Sequence, residues 1–208
     1  MVHRLFDISC ASGKTMLFNH LHKGELISYS RNEVELQSDI LACQLIKSGL
    51  RKRSRIVSLL KDGPIWNIAE CAILKAGGVH VPLPVTTDSE KLKRILMMVI
   101  PTTILVDSDA AAHARLENED LTDLKHRKDS VEPDDTAVIL FSSGSTTSSK
   151  GVLLSNRNIP VAAEEFGNSD VFNNVQRSLS VLPVRHSAAR KVNYACQFSY
   201  KFVCFSFD

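Results

Sequence analysis

A chain of 208 residues is long enough for one domain with a sizeable core, and 44% hydrophobic with 23% charged residues is ordinary for a globular protein. A net charge of +2, without a long basic run or an aromatic-interleaved basic patch, excludes nucleic acid as an expected partner. There is no run of about 18 apolar residues, so no membrane span is expected.

Five cysteines (Cys10, Cys43, Cys71, Cys196, Cys204) are odd in number and free of CxxC spacing. They predict reduced thiols in a reducing, cytoplasmic compartment rather than a disulfide framework. Cys43 and Cys71 fall within apolar helical patterns and read as core residues. Residues 1–23 read as an N-terminal extension. With Arg4, Lys14 and Lys23 against Asp7, a mitochondrial presequence is the alternative for that stretch; it lacks the apolar core of a secretory signal. Gly13-Lys14-Thr15 ends like a nucleotide-binding P-loop, but Ile8 stands where that pattern needs its first glycine.

In chain order, Leu26-Ile27-Ser28-Tyr29 predicts a short strand, and Ser30 with Glu33 a capping box. Val34, Ile40, Leu41, Leu45 and Ile46 form the apolar stripe of a helix ending near Gly49. The basic cluster from Arg51 to Arg55 predicts a solvated turn. Ile56 to Leu60 predicts a buried strand. Pro64 opens a helix where its missing N–H costs nothing, with Ile65, Ile68, Ala69, Ala72 and Ile73 facing inward and Gly77-Gly78 as the stop. Val79 to Leu83 predicts the next strand. Thr87 and Glu90 suggest a second capping box, for a helix running through Met98, and Thr102 to Val106 a further strand. Residues 110–135 read as a surface helix with a long loop. Strands alternating with helices predict an α/β fold with parallel pairing.

Ala137 to Phe141 predicts a buried strand, and the apolar run from Gly151 to Leu154 a second. Between them stand Ser142, Ser143, Gly144, Ser145, Thr146, Thr147, Ser148, Ser149 and Lys150. A hydroxyl-rich loop with one cation, set between core strands, suits a phosphate clamp: backbone N–H groups and hydroxyls donate, and the ammonium adds charge. A solvated Ser/Thr linker is the bland reading. Beyond the loop, Asn156 is a candidate cap for a short helix that Pro160 begins or interrupts, and residues 178–182 predict a strand. The last eleven residues hold Phe198, Phe202, Phe205 and Phe207 with Tyr200 in alternation, a strand that needs a partner to avoid aggregation.

The run Phe141-Ser142-Ser143-Gly144-Ser145-Thr146-Thr147-Ser148-Ser149-Lys150-Gly151-Val152 resembles the signature loop of adenylate-forming (AMP-binding) enzymes: acyl-CoA synthetases, luciferases and peptide-synthetase adenylation domains. Leu74-Lys75-Ala76-Gly77-Gly78-Val79-His80-Val81-Pro82-Leu83 is similar to that family's LKAGGVYVPL segment, and Leu182-Pro183-Val184-Arg185-His186-Ser187 to its LPLFHS segment. Gly24-Glu25-Leu26-Ile27-Ser28-Tyr29 matches its usual opening strand. The resemblance covers residues 24–187.

The resemblance implies carboxylate activation: a carboxylic acid attacks the α-phosphate of ATP with Mg²⁺, pyrophosphate leaves, and the acyl-adenylate passes to a thiol, in acyl-CoA synthetases that of coenzyme A, as in fatty acid metabolism. It implies that Ser142, Ser143, Ser145, Thr146 and Thr147 line the ATP phosphates with Lys150 as the cation, that Gly144 allows close backbone approach, and that His186 borders the carboxylate pocket. His80, where the family often has Tyr, reads as structural. Thr147 replaces a Gly of the signature and Ser149 a Pro; a β-branched residue at a positive φ costs about 1 kcal/mol or more, and losing the Pro leaves the loop less pre-organised. The family's metal-ligating, ribose-binding and catalytic-lysine motifs would lie beyond the His186 region, and residues 188–208 read as a divergent tail. The reading is therefore a partial N-terminal domain of an AMP-binding ligase, a mostly parallel sheet flanked by helices. It holds no complete catalytic set and no metal ligands. The alternative is a non-catalytic remnant or an interaction partner of a full-length relative.

Overall fold

The protein is described by a computed structural model over residues 16–22, 24–107, 121–141, 150–184, 186–198 and 202–206. The elements are β1 (Met16–His22), β2 (Glu25–Ser30), α1 (Arg31–Lys47), β3 (Arg55–Leu59), α2 (Pro64–Lys75), β4 (Val79–Leu83), α3 (Ser89–Val99) and β5 (Thr103–Val106). They continue as α4 (Thr122–Ser130), β6 (Thr136–Phe141), β7 (Gly151–Ser155), α5 (Asn158–Gly167), α6 (Asp170–Asn173), β8 (Arg177–Ser180), α7 (Ser187–Phe198) and β9 (Phe202–Ser206). The fold is mixed α/β. One sheet has the order β2-β1-β9-β8 and the other β5-β3-β4-β6-β7; β1–β2 and β6–β7 pair antiparallel, the rest parallel.

Local chemistry explains several boundaries. At the start of α1, Ser30 Oγ accepts from Glu33 N at 3.3 Å and Glu33 Oε2 accepts from Ser30 N at 2.7 Å, the reciprocal box expected from the sequence. Pro64 occupies the first turn of α2. After α2, Gly77 turns the chain at φ 71°, and Gly78 lies so close to β3 that a Cβ on it would stand 2.6 Å from Ile56 Cδ1.

α2 is the centre of the packing. All of its residues except Ile65 are buried, as expected of a helix covered on every side. Trp66 and Ile68 join the four-stranded sheet's core with Phe18, Val203 and Phe205, while Ala72 and Ile73 meet Ile56 of β3 and Ala42 and Cys43 of α1. Cys71 and Leu74 pack with Val138 of β6, Ala163 of α5 and Tyr194 of α7. A layer of α1, α2 and α7 thus separates the two sheets. α3 covers the outer face of the five-stranded sheet through Ile95 and Val99 against Val57, Val81 and Leu83.

The structure corrects several expectations. β7 is not a second buried strand: it pairs antiparallel with β6 at the sheet edge and exposes Val152 (52%) and Leu153 (61%). A parallel return needs a crossover of a dozen or more residues, which the connection 142–150 is too short to supply. The 51–55 cluster is more than a solvated turn, because Lys52 Nζ at 3.0 Å and Arg53 Nε at 2.8 Å converge on the buried Asp135. The cap of α3 is Asp88, accepting from Lys91 N at 2.9 Å, whereas Thr87 donates to Pro84 O. Asn156 is buried and donates to Asp135 O at 3.2 Å rather than capping α5; Asn158 Oδ1 instead accepts from Ser155 N at 3.0 Å.

Three elements were not foreseen, β1, α6 and α7. β9 is a strand as its alternation predicts, but it lies between β1 and β8, paired on both sides. Cys43, Cys71 and Cys196 are buried and form no disulfide. Among the described residues no helix is long and apolar enough to cross a membrane.

Gly78→Ala should force the side chain of Ile56 or the strand itself to move and destabilise the chain by about 1–3 kcal/mol, measured by urea denaturation. Asp135 offers a second test. Burial would raise its carboxyl, but the Glu132 N–H, Lys52 and Arg53 outweigh it and hold the pKa at about 2. Its contribution is therefore present above the unfolded value near 3.8 and lost as pH falls toward about 2. Asp135→Asn should be less stable by about 1–2 kcal/mol at pH 7, with the two denaturation curves converging through that window.

Candidate functional site

The carboxyl ends of parallel strands are where α/β sheets take ligands. At that edge of the five-stranded sheet stand the ends of β3, β4 and β6. The register Phe141↔Gly151 joins β6 and β7 as an antiparallel hairpin, with residues 142–150 between them in the sequence. Residues 142–149, and with them the candidates Ser142, Ser143, Gly144, Ser145, Thr146 and Thr147, lie outside the described residues, as does Gly13-Lys14-Thr15. Lys150 is described. It is exposed and immediately precedes the first residue of β7, at the mouth of the hairpin.

His186 is exposed and comes from another direction. Its carbonyl accepts from Arg190 N at 3.0 Å, the first turn of α7, and its own N–H donates to Pro183 O at 2.9 Å. The segment is tied to the end of β3 because Val184 N donates to Asp62 Oδ1 at 3.1 Å. β3 and β6 flank β4, so their ends are about 10 Å apart. The fold therefore brings the LPVRHS segment and the hairpin mouth to one edge of one sheet, though they lie in separate parts of the sequence.

Beneath that edge is a polar cluster that the sequence reading missed apart from His80. His80 Nδ1 lies 3.1 Å from Glu70 Oε1, and His80 Nε2 lies 2.7 Å from Ser58 Oγ. Arg190 Nη1 is 3.3 Å from the same Glu70 oxygen, and its guanidinium stacks 5.0 Å from the Trp66 ring centroid. Burial would raise the Glu70 carboxyl, but Arg190 and the bond from His80 more than offset it and leave it below the usual carboxylate range. Burial pushes His80 below its ordinary 6.5, which outweighs the pull of Glu70. The consistent state is an ionised Glu70 accepting from His80 Nδ1–H, with a neutral imidazole whose Nε2 accepts from the Ser58 hydroxyl. Burial also raises the Tyr194 phenol, and the nearby Glu70 charge raises it further.

Ser58, His80 and Glu70 share the bonding pattern of a nucleophilic triad. All three are at most 1% exposed, so no substrate carbonyl can reach Ser58, and the cluster is structural. Glu70 had a signal: one carboxylate inside the apolar run Ile68-Ala69-Glu70-Cys71-Ala72 must find a partner if the helix is buried.

A family profile described as "AMP-binding enzyme" matches residues 10–205. The chain belongs to the AMP-binding enzyme family. The match extends through α7 and β9, where no resemblance was read from the sequence. Among curated relatives, the hybrid PKS-NRPS synthetase iccA of Talaromyces variabilis is 30% identical over 173 residues, 75% of this chain and 4% of that protein. Malpibaldin synthetase of Mortierella alpina is 28% identical over 151 residues, 67% of this chain and 3% of that protein. Among solved structures, the fatty acyl-adenylate ligase from L. pneumophila in complex with acyl adenylate and pyrophosphate superposes with a TM-score of 0.82 at 19% identity, over 99% of this chain and 39% of that one. ATP-bound MatB from Rhodopseudomonas palustris gives 0.79 at 20% identity, over 100% of this chain and 45% of that one. The chain thus spans less than half of these two neighbours and a few per cent of the curated relatives. The structural likeness establishes the adenylate-forming fold.

His80 supplies a pH test of the buried cluster. Its folded pKa lies below its unfolded value, so its contribution to stability is present above about pH 6.5 and lost as pH falls below it. The stability advantage of the wild type over His80→Gln, from urea midpoints, should shrink between about pH 6.5 and 5. A constant difference would mean that another group sets the acid limb.

Proposed function

We propose that this AMP-binding chain takes part in ATP-dependent activation of a carboxylic acid, contributing the phosphate-handling loop and one edge of the carboxylate pocket. The observation that carries the reading is the position of Lys150: an exposed ammonium at the mouth of a hydroxyl-rich hairpin, on the ligand-binding edge of a parallel sheet. The fit to ATP rests on the donors. An ammonium and seven Ser or Thr residues between 142 and 149 suit an acceptor-rich polyphosphate, and Gly144 removes a side chain where the backbone would approach it.

When bound, ATP supplies an α-phosphorus for attack by a carboxylate oxygen, with the bond to the leaving pyrophosphate breaking. Lys150 neutralises charge accumulating on the leaving phosphates, and the hydroxyls of Ser142, Ser143, Ser145, Thr146 and Thr147 orient them. His186 borders the carboxylate. Among the described residues no group of three or more His, Cys, Asp or Glu could hold a metal ion, so no step through this chain is assigned to Mg²⁺. Coenzyme A as acceptor and a fatty acid as substrate follow from the acyl-CoA synthetase side of the resemblance. One curated relative, SIDC of Beauveria bassiana, is named as a nonribosomal peptide synthetase, so amino acids belong in the substrate panel beside fatty acids.

The second reading is the non-catalytic remnant or interaction partner of a full-length relative. Calorimetric titration of Mg-ATP and of pyrophosphate into wild type and Lys150→Ala tests the first. The variant should bind about tenfold more weakly; equal affinities, or no binding by either protein, would remove the phosphate site. Pyrophosphate release with the carboxylate panel separates the readings, since turnover above background is expected only of the activating one.

A further inference from the structure

We infer that Arg190 is a positioning residue for His186, setting through its ion pair with Glu70 where α7 stands at the pocket edge. This rests on the reading of His186 as a pocket residue given above. Arg190 lies in the first turn of α7, four residues after His186, which immediately precedes the helix, and its N–H is bonded to the His186 carbonyl at 3.0 Å. Its guanidinium is 3% exposed, 3.3 Å from Glu70 and 5.0 Å from the Trp66 ring centroid, both on α2.

Glu70 is itself fixed. His80 of β4 lies 3.1 Å from it, and Ser58 of β3 lies 2.7 Å from His80. A continuous polar chain thus runs from α7 through α2 to two strands of the sheet whose end carries the hairpin. The second tether is the 3.1 Å bond from Val184 N to Asp62. His186 stands between the two tethers.

Of the apolar residues that α7 buries, Ala189, Ala195 and Cys196 are small and Tyr194 is large, packing with Leu74, Ile159 and Ala163. Small side chains leave the rotation and sliding of a packed helix loosely specified, whereas one buried ion pair specifies both, because displacement leaves two charges uncompensated in a dry interior. The Nε, Nη1 and Nη2 atoms of Arg190 are all buried without hydrogen-bond partners, so its link to Glu70 is an ion pair. A pair selected for stability alone would satisfy those donors; here the guanidinium is held by Glu70 and the Trp66 face, which define direction.

The test uses the full 208-residue chain, with α,β-methylene-ATP as nucleotide and dodecanoate and L-aspartate as carboxylate probes, titrated calorimetrically. The double variant Glu70→Gln/Arg190→Met removes both charges at similar volume and should keep its melting temperature. Nucleotide affinity should stay within about twofold, while affinity for whichever carboxylate the wild type binds should fall about tenfold, matching His186→Ala. A carboxylate affinity within about twofold of wild type overturns the inference and leaves the reading of His186 standing. A wild type that binds nucleotide but neither carboxylate overturns that reading and this inference with it. If the double variant does not fold, Arg190→Lys decides: it keeps the charge but lacks the planar fork, and should weaken carboxylate binding about threefold or more at unchanged melting temperature. Unchanged binding in that variant also overturns the inference.

Discussion

The lie of the central helices is constrained by a carboxylate placed where water cannot reach it. Glu70 is 1% exposed in the middle of α2, and an ionised group at that depth is tolerated only with partners close by. Those partners come from distant parts of the sequence: His80 from β4 ten residues on, and Arg190 from α7 120 residues on. Five residues along α2, Lys75 carries the opposite charge toward the other side, with Asp39 Oδ1 at 2.7 Å and Ser38 Oγ at 2.8 Å on α1. The central helix is therefore pinned to both of its neighbours by buried charges of opposite sign. Apolar burial makes the layer form, and the two charges restrict which way the helices can lie in it.

That arrangement determines what reaches the ligand edge. α2 begins just after the end of β3, where Asp62 binds the backbone of Val184. That bond places the chain just before α7 near the start of α2, at the same end of the sheet. The end of β6 arrives there independently, since β6 pairs with β4 at Val138↔His80. His80 therefore belongs at once to the ladder that carries the loop and to the cluster that anchors α7.

Features governed by neighbours in sequence were legible. The Ser30–Glu33 box, the proline at the start of α2, the glycine stop and strands β2 to β6 depend on residues a few positions apart, and the structure has them. What failed was pairing and inversion. An apolar run specifies a strand but not its partner, so β7 could not be told from a buried parallel strand until its connection length was weighed. Asp88 and Thr87 are both competent caps, and only the backbone register chooses between them. α7 hid because its buried face is polar: Arg190, Asn193, Tyr194 and Gln197 repeat with helical spacing, yet a search for apolar stripes passes over them. The ion pairs of Asp135 with Lys52 and Arg53 span some eighty residues and left no local trace.

The stretches that carried the family resemblance prove to be of two kinds, and they bear differently on function. In Leu74-Lys75-Ala76-Gly77-Gly78-Val79-His80 every polar or special residue serves the packing. Lys75 pairs with Asp39, Gly77 takes a positive φ, Gly78 admits Ile56, and His80 supports Glu70. Such a motif identifies a scaffold and would persist in a member that had lost its chemistry, because altering it destabilises the fold. The serine-rich hairpin is the reverse. Lys150 is exposed and fills no gap in the core, so nothing in the packing requires it beside a run of hydroxyls. Family membership is thus written in the buried motif, whereas any claim to activity rests on the exposed one.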